Sequence, residues 1–293
     1  MEIFKTVFFM VALMLLFIVV GGMIGGTSGM IIAFCIALAM NFFSYFYSDK
    51  LILKRYNAQE LNSSHPLYHM TKRLCFKAGL ELPKLYIISD SVPNAFATGR
   101  NPANAAVALT TGLLDTLNDD EIAAVIAHEL GHVRHYDILT GSIAAVFAGG
   151  IAILANFAQF GAMLGNNQNR QNPLLIIALS IIMPLAATII QMSISRSREF
   201  EADRFSASIT NPNDLANALL KLEGSNAHTM VKNANEQTAH MFIISPFSGK
   251  NIASGISNLF RTHPTTRQRV ERLNELSRHN KNYQSPARKY FNS

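Results

Sequence analysis

The segment TVFFMVALMLLFIVVGGMIGGTSGMIIAFCIALAMNFFSYFYS, from Thr6 to Ser48, contains no charged residue. Within it, two apolar runs flank a glycine-rich stretch from Gly21 to Gly29. A helix needs about 20 mostly apolar residues to cross a bilayer. The segment therefore predicts two membrane spans, near 6–24 and 29–47, joined by a tight turn.

Two further uncharged segments, 138–169 and 171–195, follow in the second half of the chain. They predict a third and a fourth span, near 139–164 and 174–194. Pro184 would kink the last span, which membrane helices tolerate better than helices of soluble proteins. The alternative for this pair is a buried hairpin in the core of a soluble domain, because glycine, alanine and serine make both segments less apolar.

The composition also points to a membrane protein. Hydrophobic residues make up 49% of the 293 residues and charged residues only 15%, whereas an average soluble domain has roughly 25% charged residues. This excludes a disordered chain and argues against an ordinary cytosolic globule. With two cysteines, the chain is neither a disulfide scaffold nor a cysteine-ligated zinc finger.

The basic residues predict the orientation. Of the 25 lysines and arginines, only Arg170 falls in a connection within either predicted hairpin. Because cytoplasmic loops are enriched in lysine and arginine, both large polar segments and both termini are expected in the cytoplasm. The net charge of +6 then reflects this bias and attraction to anionic headgroups, not nucleic-acid binding. A cleaved signal peptide is disfavoured, since no A-x-A site follows the first apolar run.

The polar segments predict one cytoplasmic unit, rich in helix and with a small sheet. Along the chain, the expected order is a first hairpin, half of this unit, a second hairpin and the other half: 1–48, 49–137, 138–195 and 196–293. Alternating apolar residues predict the strands, and capping residues with helical periodicity predict the helices. The strands are 83–88, 94–98 and 105–110, and the helices are 66–79, 117–134, 196–209, 212–223 and 265–276.

The sequence His128-Glu129-Leu130-Gly131-His132 lies within one of these helices. Residues four apart share a helix face, so both imidazoles can bind one metal ion. Glu129 is then placed to act on a metal-bound water rather than to bind the ion. The alternative is a pair of surface histidines. The apolar residues around the motif argue against this alternative.

A catalytic zinc site usually has three protein ligands and one open position. Glu199 and Asp203 follow the last predicted span and, being four apart, share a helix face. One of them can bind the metal while the other orients a ligand histidine. The alternative is an exposed acidic turn paired with neighbouring arginines.

The ordered set of H-E-L-G-H, a hydrophobic hairpin, S-R-S-R-E-F-E-A-D and T-H-P-x-x-x-x-R resembles the HtpX family of bacterial membrane metalloproteases, relatives of the CAAX prenyl endopeptidases. The stretch N-A-F-A-T-G adds to this resemblance, which runs over essentially the whole chain. It implies an α+β membrane protein, mostly α, with four transmembrane helices and a cytoplasmic zincin domain of the gluzincin type. It also implies one zinc ion held by His128, His132 and Glu199, with Glu129 as catalytic acid/base and Asp203 supporting a ligand histidine.

Two other candidates are open to a structural interpretation. His263 is, by the resemblance, a donor to the oxyanion, but from the sequence alone it equally well caps the helix that begins near Pro264. The second candidate is a strand that would pair with an extended substrate, or else an ordinary buried strand; its residues are Asn94, Ala95, Phe96 and Ala97.

Three arginines of the C-terminal helix are expected on a solvated or headgroup-facing side rather than in a substrate clamp. They are Arg267, Arg269 and Arg272.

The expected function is zinc-dependent hydrolysis of misfolded or damaged membrane proteins at the cytoplasmic face of the bacterial inner membrane, in quality control and stress response. The main alternative is a membrane scaffold with a structural metal, but such sites usually have four protein ligands and leave Glu129 unexplained. A transporter would need ionisable residues within the spans, and these spans have none. The expected partners are the substrates and the bilayer.

Overall fold

The computed structural model describes residues 2–143, 196–228 and 264–279. Within these ranges the protein is mostly helical with a small mixed sheet, as predicted. Most of the predicted third and fourth spans lies outside the described residues, and so does His263. The helices are α1 (Glu2–Arg55), α2 (Pro66–Ala78), α3 (Thr111–Thr116), α4 (Asp119–Arg134), α5 (Arg196–Ile209), α6 (Pro212–His228) and α7 (Thr266–His279).

Helix α1 is two helices joined at a sharp turn. Gly25 and Gly26 have non-helical backbone angles, and Gly26 has a φ of 57°, in the left-handed region that glycine adopts without a steric penalty. The Asn41 side-chain amide donates to the carbonyl of Met10 at 3.2 Å, so the two halves lie side by side. The predicted tight turn is therefore present.

Among the described residues, Gly25–Arg55 forms a helix that is long and apolar enough to cross a membrane. The preceding apolar helix, Thr6–Val19, is shorter than that. Residues 137–143 are helical and enter the third predicted span. The count of four spans therefore stays a prediction.

The sheet contains four strands in the order β1-β2-β4-β3. The strands are β1 (Gln59–Glu60), β2 (Lys84–Ile88), β3 (Ala95–Gly99) and β4 (Ala105–Thr110). Strands β2 and β4 are parallel, and β1 and β3 pair antiparallel with their neighbours. The three longer strands match the prediction to within one residue, and β3 lies at an edge of the sheet.

Helix α4 begins with a capping box. The Asn118 side chain accepts from the backbone of Glu121, and the Glu121 side chain accepts from the backbone of Asn118. Three acidic residues in the first turn also stabilise the helix, because their negative charges lie at the positive end of the helix dipole. This start fixes the register of the helix and thereby the directions of His128, Glu129 and His132.

Helix α4 lies at the centre of the core, where it packs against β3, α5 and α6. Gly131 permits a close approach to α5, because a side-chain carbon at this position would lie 3.0 Å from the Cα atom of Ala202. A larger residue at Gly131 would push the two helices apart. The packing of these two helices brings the histidine motif and the acidic motif together.

Candidate metal centre

Helices α4 and α5 bring His128, His132 and Glu199 to one point. The two histidine Nε2 atoms are 3.3 Å apart. The Nε2 atom of His128 lies 3.8 Å from Oε2 of Glu199, and the Nε2 atom of His132 lies 3.5 Å from Oε1. One ligand atom from each of these three residues can therefore face the same ion.

The spacing of these atoms suits zinc. Tetrahedral ligands about 2.1 Å from an ion are roughly 3.4 Å from one another, close to the three distances between the ligand atoms. His128 and Glu199 are buried, whereas the His132 side chain is 17% exposed. The site therefore has two imidazoles, one carboxylate and a partly open side, as a catalytic zinc site requires.

Asp203 supports His128 from behind. Its Oδ1 atom lies 3.0 Å from the Nδ1 atom of His128, which leaves Nε2 for the metal. The guanidinium of Arg269 donates to both Asp203 oxygens, at 2.6 and 2.9 Å, and lies 3.4 Å from Glu199. The predicted role of Asp203 in orienting a ligand histidine agrees with this geometry.

The electrostatic environment of the site favours the metal-binding protonation states. Burial and the positive charge of Arg269 lower the pKa of His128, so its imidazole stays neutral and able to bind a metal. Burial by itself would raise the pKa of Asp203, but the attraction of Arg269 and the hydrogen bond from His128 together lower it. Asp203 is thereby held as a carboxylate.

Glu129 is buried beside His132 and Glu199 and next to strand β3. Its carboxylate accepts a hydrogen bond from the backbone N–H of Ala97. Loss of hydration on burial raises the pKa of Glu129 to about 7, against the opposing effect of His132. A carboxylate with a pKa near neutral can both take up and release a proton at physiological pH.

This raised pKa predicts a pH-dependent stability for the metal-free protein. A carboxyl group whose pKa is higher in the folded than in the unfolded protein stabilises the fold at low pH, and this contribution is lost as the pH rises through the folded pKa. A rise from 4.5 to about 7 corresponds to roughly 3 kcal/mol. We therefore expect the stability of the wild type, relative to Glu129→Gln, to fall by about this amount between pH 4.5 and pH 8.

Thermal melting of both proteins in detergent, with a chelator present, would measure this difference. Melting temperatures that change in parallel across the pH range would show that Glu129 does not titrate with a raised pKa.

The candidate substrate strand lies at the sheet edge beside Glu129. Ala95 and Phe96 are buried, and Phe96 packs against the ring of Tyr56. Ala97 is partly exposed, and Asn94, which precedes the strand, is buried. Most of its side chains fill the core, as in an ordinary buried strand, and its backbone lies at the sheet edge. Pairing of this edge with a substrate stays a prediction.

The expectation for Arg269 is wrong. This residue is 1% exposed and lies among Asp203, Glu199 and His128 rather than on a solvated side. Arg267 agrees with the expectation, since its side chain is 87% exposed and pairs with Glu271. Arg272 is exposed and stacks on the ring of Phe200.

Two residues at the site were missed in the sequence. Asp137 lies 3.0 Å from the Nδ1 atom of His132, and Arg198 pairs with Asp137. In the sequence, Asp137 is recognisable only as an acidic residue shortly after the histidine motif, and Arg198 only as the arginine directly before Glu199. Neither spacing places the residue on the metal-binding face of a continuous helix, so periodicity gave no reason to choose them.

Comparisons with known proteins identify the family of this chain. The model of peptidase family M48 matches residues 63–277. A Protease HtpX homolog from Campylobacter curvus is 59% identical over 288 residues, covering 96% of this chain and 100% of that protein. Protease HtpX from Legionella pneumophila (strain Lens) is 48% identical over 278 residues, covering 93% of this chain and 98% of that protein.

One solved structure, of S. mikatae Ste24p, aligns with a TM-score of 0.49 and 18% identity, over 82% of this chain and 57% of that chain. The family match and the relatives confirm the resemblance found in the sequence. This chain belongs to peptidase family M48, as a membrane metalloprotease of the HtpX group.

Proposed function

We propose that this protein is a zinc-dependent endopeptidase that cleaves misfolded or damaged membrane proteins at the cytoplasmic face of the bacterial inner membrane. The observation that carries the proposal is the convergence of His128, His132 and Glu199 next to the buried Glu129. A structural metal site would not need an acid beside an open position. The composition of the ligand set favours zinc.

In this proposal, His128, His132 and Glu199 hold the ion. A bound zinc ion supplies Lewis acidity at the scissile carbonyl and lowers the pKa of a water molecule. Glu129 would accept a proton from the water whose oxygen adds to the scissile carbonyl, and would later donate this proton to the amine as the C–N bond breaks. The pKa of about 7 in the metal-free protein suits a group that performs both steps.

Strand β3 offers a way to hold the substrate. A peptide that pairs with a sheet edge is bound through its backbone, so many sequences are accepted. Glu129 accepts from Ala97 on this strand, so a chain extended along the edge would pass beside the catalytic carboxylate. We assign Asn94, Ala95, Phe96 and Ala97 to this role.

His263 is proposed to stabilise the negative charge that develops on the carbonyl oxygen. The reaction needs a hydrogen-bond donor for this charge in addition to the metal. Its proximity in sequence to Arg269, which reaches the metal ligands, supports this assignment.

The position of the site along the chain supports membrane-protein substrates. His132 lies shortly before the helical residues 137–143, which enter the third predicted span, and Glu199 follows the fourth. Both metal-binding segments would therefore lie close to the membrane surface. In this proposal, polypeptide emerging there from a damaged membrane protein enters the site from the cytoplasm. The distribution of lysine and arginine predicts that both termini lie on the same side.

The ligand set can be tested with Glu199→Gln. We expect this substitution to weaken zinc binding by more than the roughly 10–100-fold loss that follows removal of an outer contact, because it removes a charged ligand. Cleavage of casein in detergent should fall with the zinc content, and a chelator should abolish it in the wild type.

Glu201→Gln is the matched control, because Glu201 lies on the same helix but is exposed. It should retain zinc and activity. Full zinc content in Glu199→Gln would place the third ligand elsewhere, and a zinc-loaded wild type without proteolytic activity would favour a scaffold with a structural metal.

A further inference from the structure

The His132 imidazole has a second partner outside the metal-binding set. Its Nε2 atom faces His128 and Glu199, at 3.3 and 3.5 Å. Its Nδ1 atom lies 3.0 Å from Oδ2 of Asp137. A metal-binding histidine commonly donates its other ring N–H to a carboxylate, which fixes the ring orientation and raises its basicity.

Asp137 reaches this position through an unusual turn. Helix α4 ends at Arg134, and Tyr136 adopts a φ of 63°, in the left-handed region that non-glycine residues rarely occupy. On a continuous helix, a residue five positions after His132 would point well away from it. The turn at Tyr136 instead returns the Asp137 carboxylate to the imidazole.

Arg198 holds Asp137 from the other metal-binding helix. It forms an ion pair with Asp137 and donates to the backbone carbonyl of His135 at 3.4 Å. The side chains of Asp137 and Arg198 are only 11% and 12% exposed, so water screens their attraction weakly. Arg198 directly precedes Glu199, and this ion pair therefore joins the segments that provide His132 and Glu199.

The pair also joins the two ends of the second hydrophobic segment. In the sequence, Asp137 lies directly before the predicted segment 138–195 and Arg198 lies shortly after it. Any separation of these two ends would withdraw the carboxylate from His132. The geometry links the two ends of this segment to the orientation of His132.

We propose that Asp137 is a positioning residue for His132, that Arg198 holds it in place, and that the pair thereby sets the affinity of the site for zinc. This inference rests on the proposed zinc site and adds a residue pair that the ligand set does not include. Asp137 and Asp203 would then act in parallel, each on a different histidine.

The test is the zinc affinity of Asp137→Asn, measured in the full-length protein in detergent by competition with a chromogenic chelator. All variants carry Glu129→Gln, so that self-cleavage cannot remove the protein during the measurement. Asparagine preserves the size of the side chain and removes its charge. We expect zinc to bind 10–100-fold more weakly than in the parent.

Glu121→Gln is the matched control. Glu121 lies on α4, the helix that carries His132, and pairs with Lys221 at 2.7 Å, but this pair is at the opposite end of α4 from His132. Glutamine can preserve the capping box, and zinc affinity should stay at the parent value. A loss in this variant equal to that of Asp137→Asn would overturn the inference, because any broken ion pair would then have the same effect.

Arg198→Met provides a second, independent measurement that leaves the carboxylate intact. If Arg198 acts through Asp137, Arg198→Met should also weaken zinc binding, and adding it to Asp137→Asn should produce little further loss. Fully additive losses would overturn the proposed route through Asp137. This variant also replaces Asp137→Asn in the test should the latter not fold.

The remaining outcomes separate this inference from the zinc site itself. A lower melting temperature of metal-free Asp137→Asn with zinc affinity within twofold of the parent would show a purely structural ion pair and overturn the positioning role alone. A parent protein that binds no zinc would overturn the proposed site, and the positioning role with it.

Discussion

Glu129→Gln is expected to abolish proteolysis while leaving the metal in place. Glutamine matches the shape of the side chain and can still accept the hydrogen bond from Ala97, but it cannot take a proton from water. General acid–base catalysis contributes about 10²–10⁴-fold to a rate. We therefore expect kcat on casein to fall by at least about 10³-fold, since the same carboxylate would serve in both proton transfers.

The result that identifies Glu129 as the catalytic acid/base is a loss of activity without a loss of zinc. Glu129 is not among the residues whose ligand atoms converge, so the purified variant should contain as much zinc as the wild type. Glu201→Gln, on an exposed side of α5, should cleave casein normally. Equal activity of Glu129→Gln and wild type would exclude the proposed mechanism, whereas loss of both zinc and activity would leave Glu129 with a structural role.

The central part of the site was predictable because it follows helix periodicity. His128 and His132 share a face since they are four apart. The same spacing on α5 placed Glu199 and Asp203 on one face, although periodicity alone did not decide which of them binds the metal. The structure separates them, because Glu199 faces the Nε2 atoms of both histidines while Asp203 faces the Nδ1 atom of His128.

The missed residues depend on turns and long-range packing. Asp137 joins the site only because Tyr136 adopts a left-handed conformation, which no pattern of apolar residues indicates. Arg269 lies in a strongly polar helix, where an arginine is usually exposed. Its burial depends on Asp203, which is 66 positions away and is brought to it by the packing of α5 against α7.

The sheet was predictable for similar reasons, with one exception. The apolar patterns of β2 and β4 and the turn between β3 and β4 predict the three longer strands. Strand β1 contains only Gln59 and Glu60, both exposed, so neither its length nor its composition distinguishes it from a loop. The edge position of β3 depends on the order of the strands, which local patterns do not encode.

Arg269→Gln should produce the largest loss of stability. The guanidinium makes two hydrogen bonds to Asp203 and lies 3.4 Å from Glu199. Arg269 also remains charged, because its attraction to these carboxylates outweighs the effect of burial and raises its pKa. Substitution leaves two buried carboxylates without their cation, and removing one partner of a buried ion pair destabilises a protein by about 3–5 kcal/mol.

Thermal melting of the metal-free protein in detergent measures this effect without the stabilisation that a bound metal adds. At about 2–4 °C per kcal/mol for a protein of this size class, the melting temperature should fall by roughly 6–20 °C at a fixed scan rate. Arg267→Gln is the matched control, since the exposed pair of Arg267 with Glu271 is expected to contribute very little to stability.

A second substitution tests the cause of the loss. In the Arg269→Gln background, Asp203→Asn removes one of the two buried charges that lack a partner, so the double variant should be more stable than the sum of the two single losses predicts. Strictly additive losses would show that the side chains contribute through packing alone. A melting temperature for Arg269→Gln equal to that of Arg267→Gln would exclude a buried ion pair between α5 and α7.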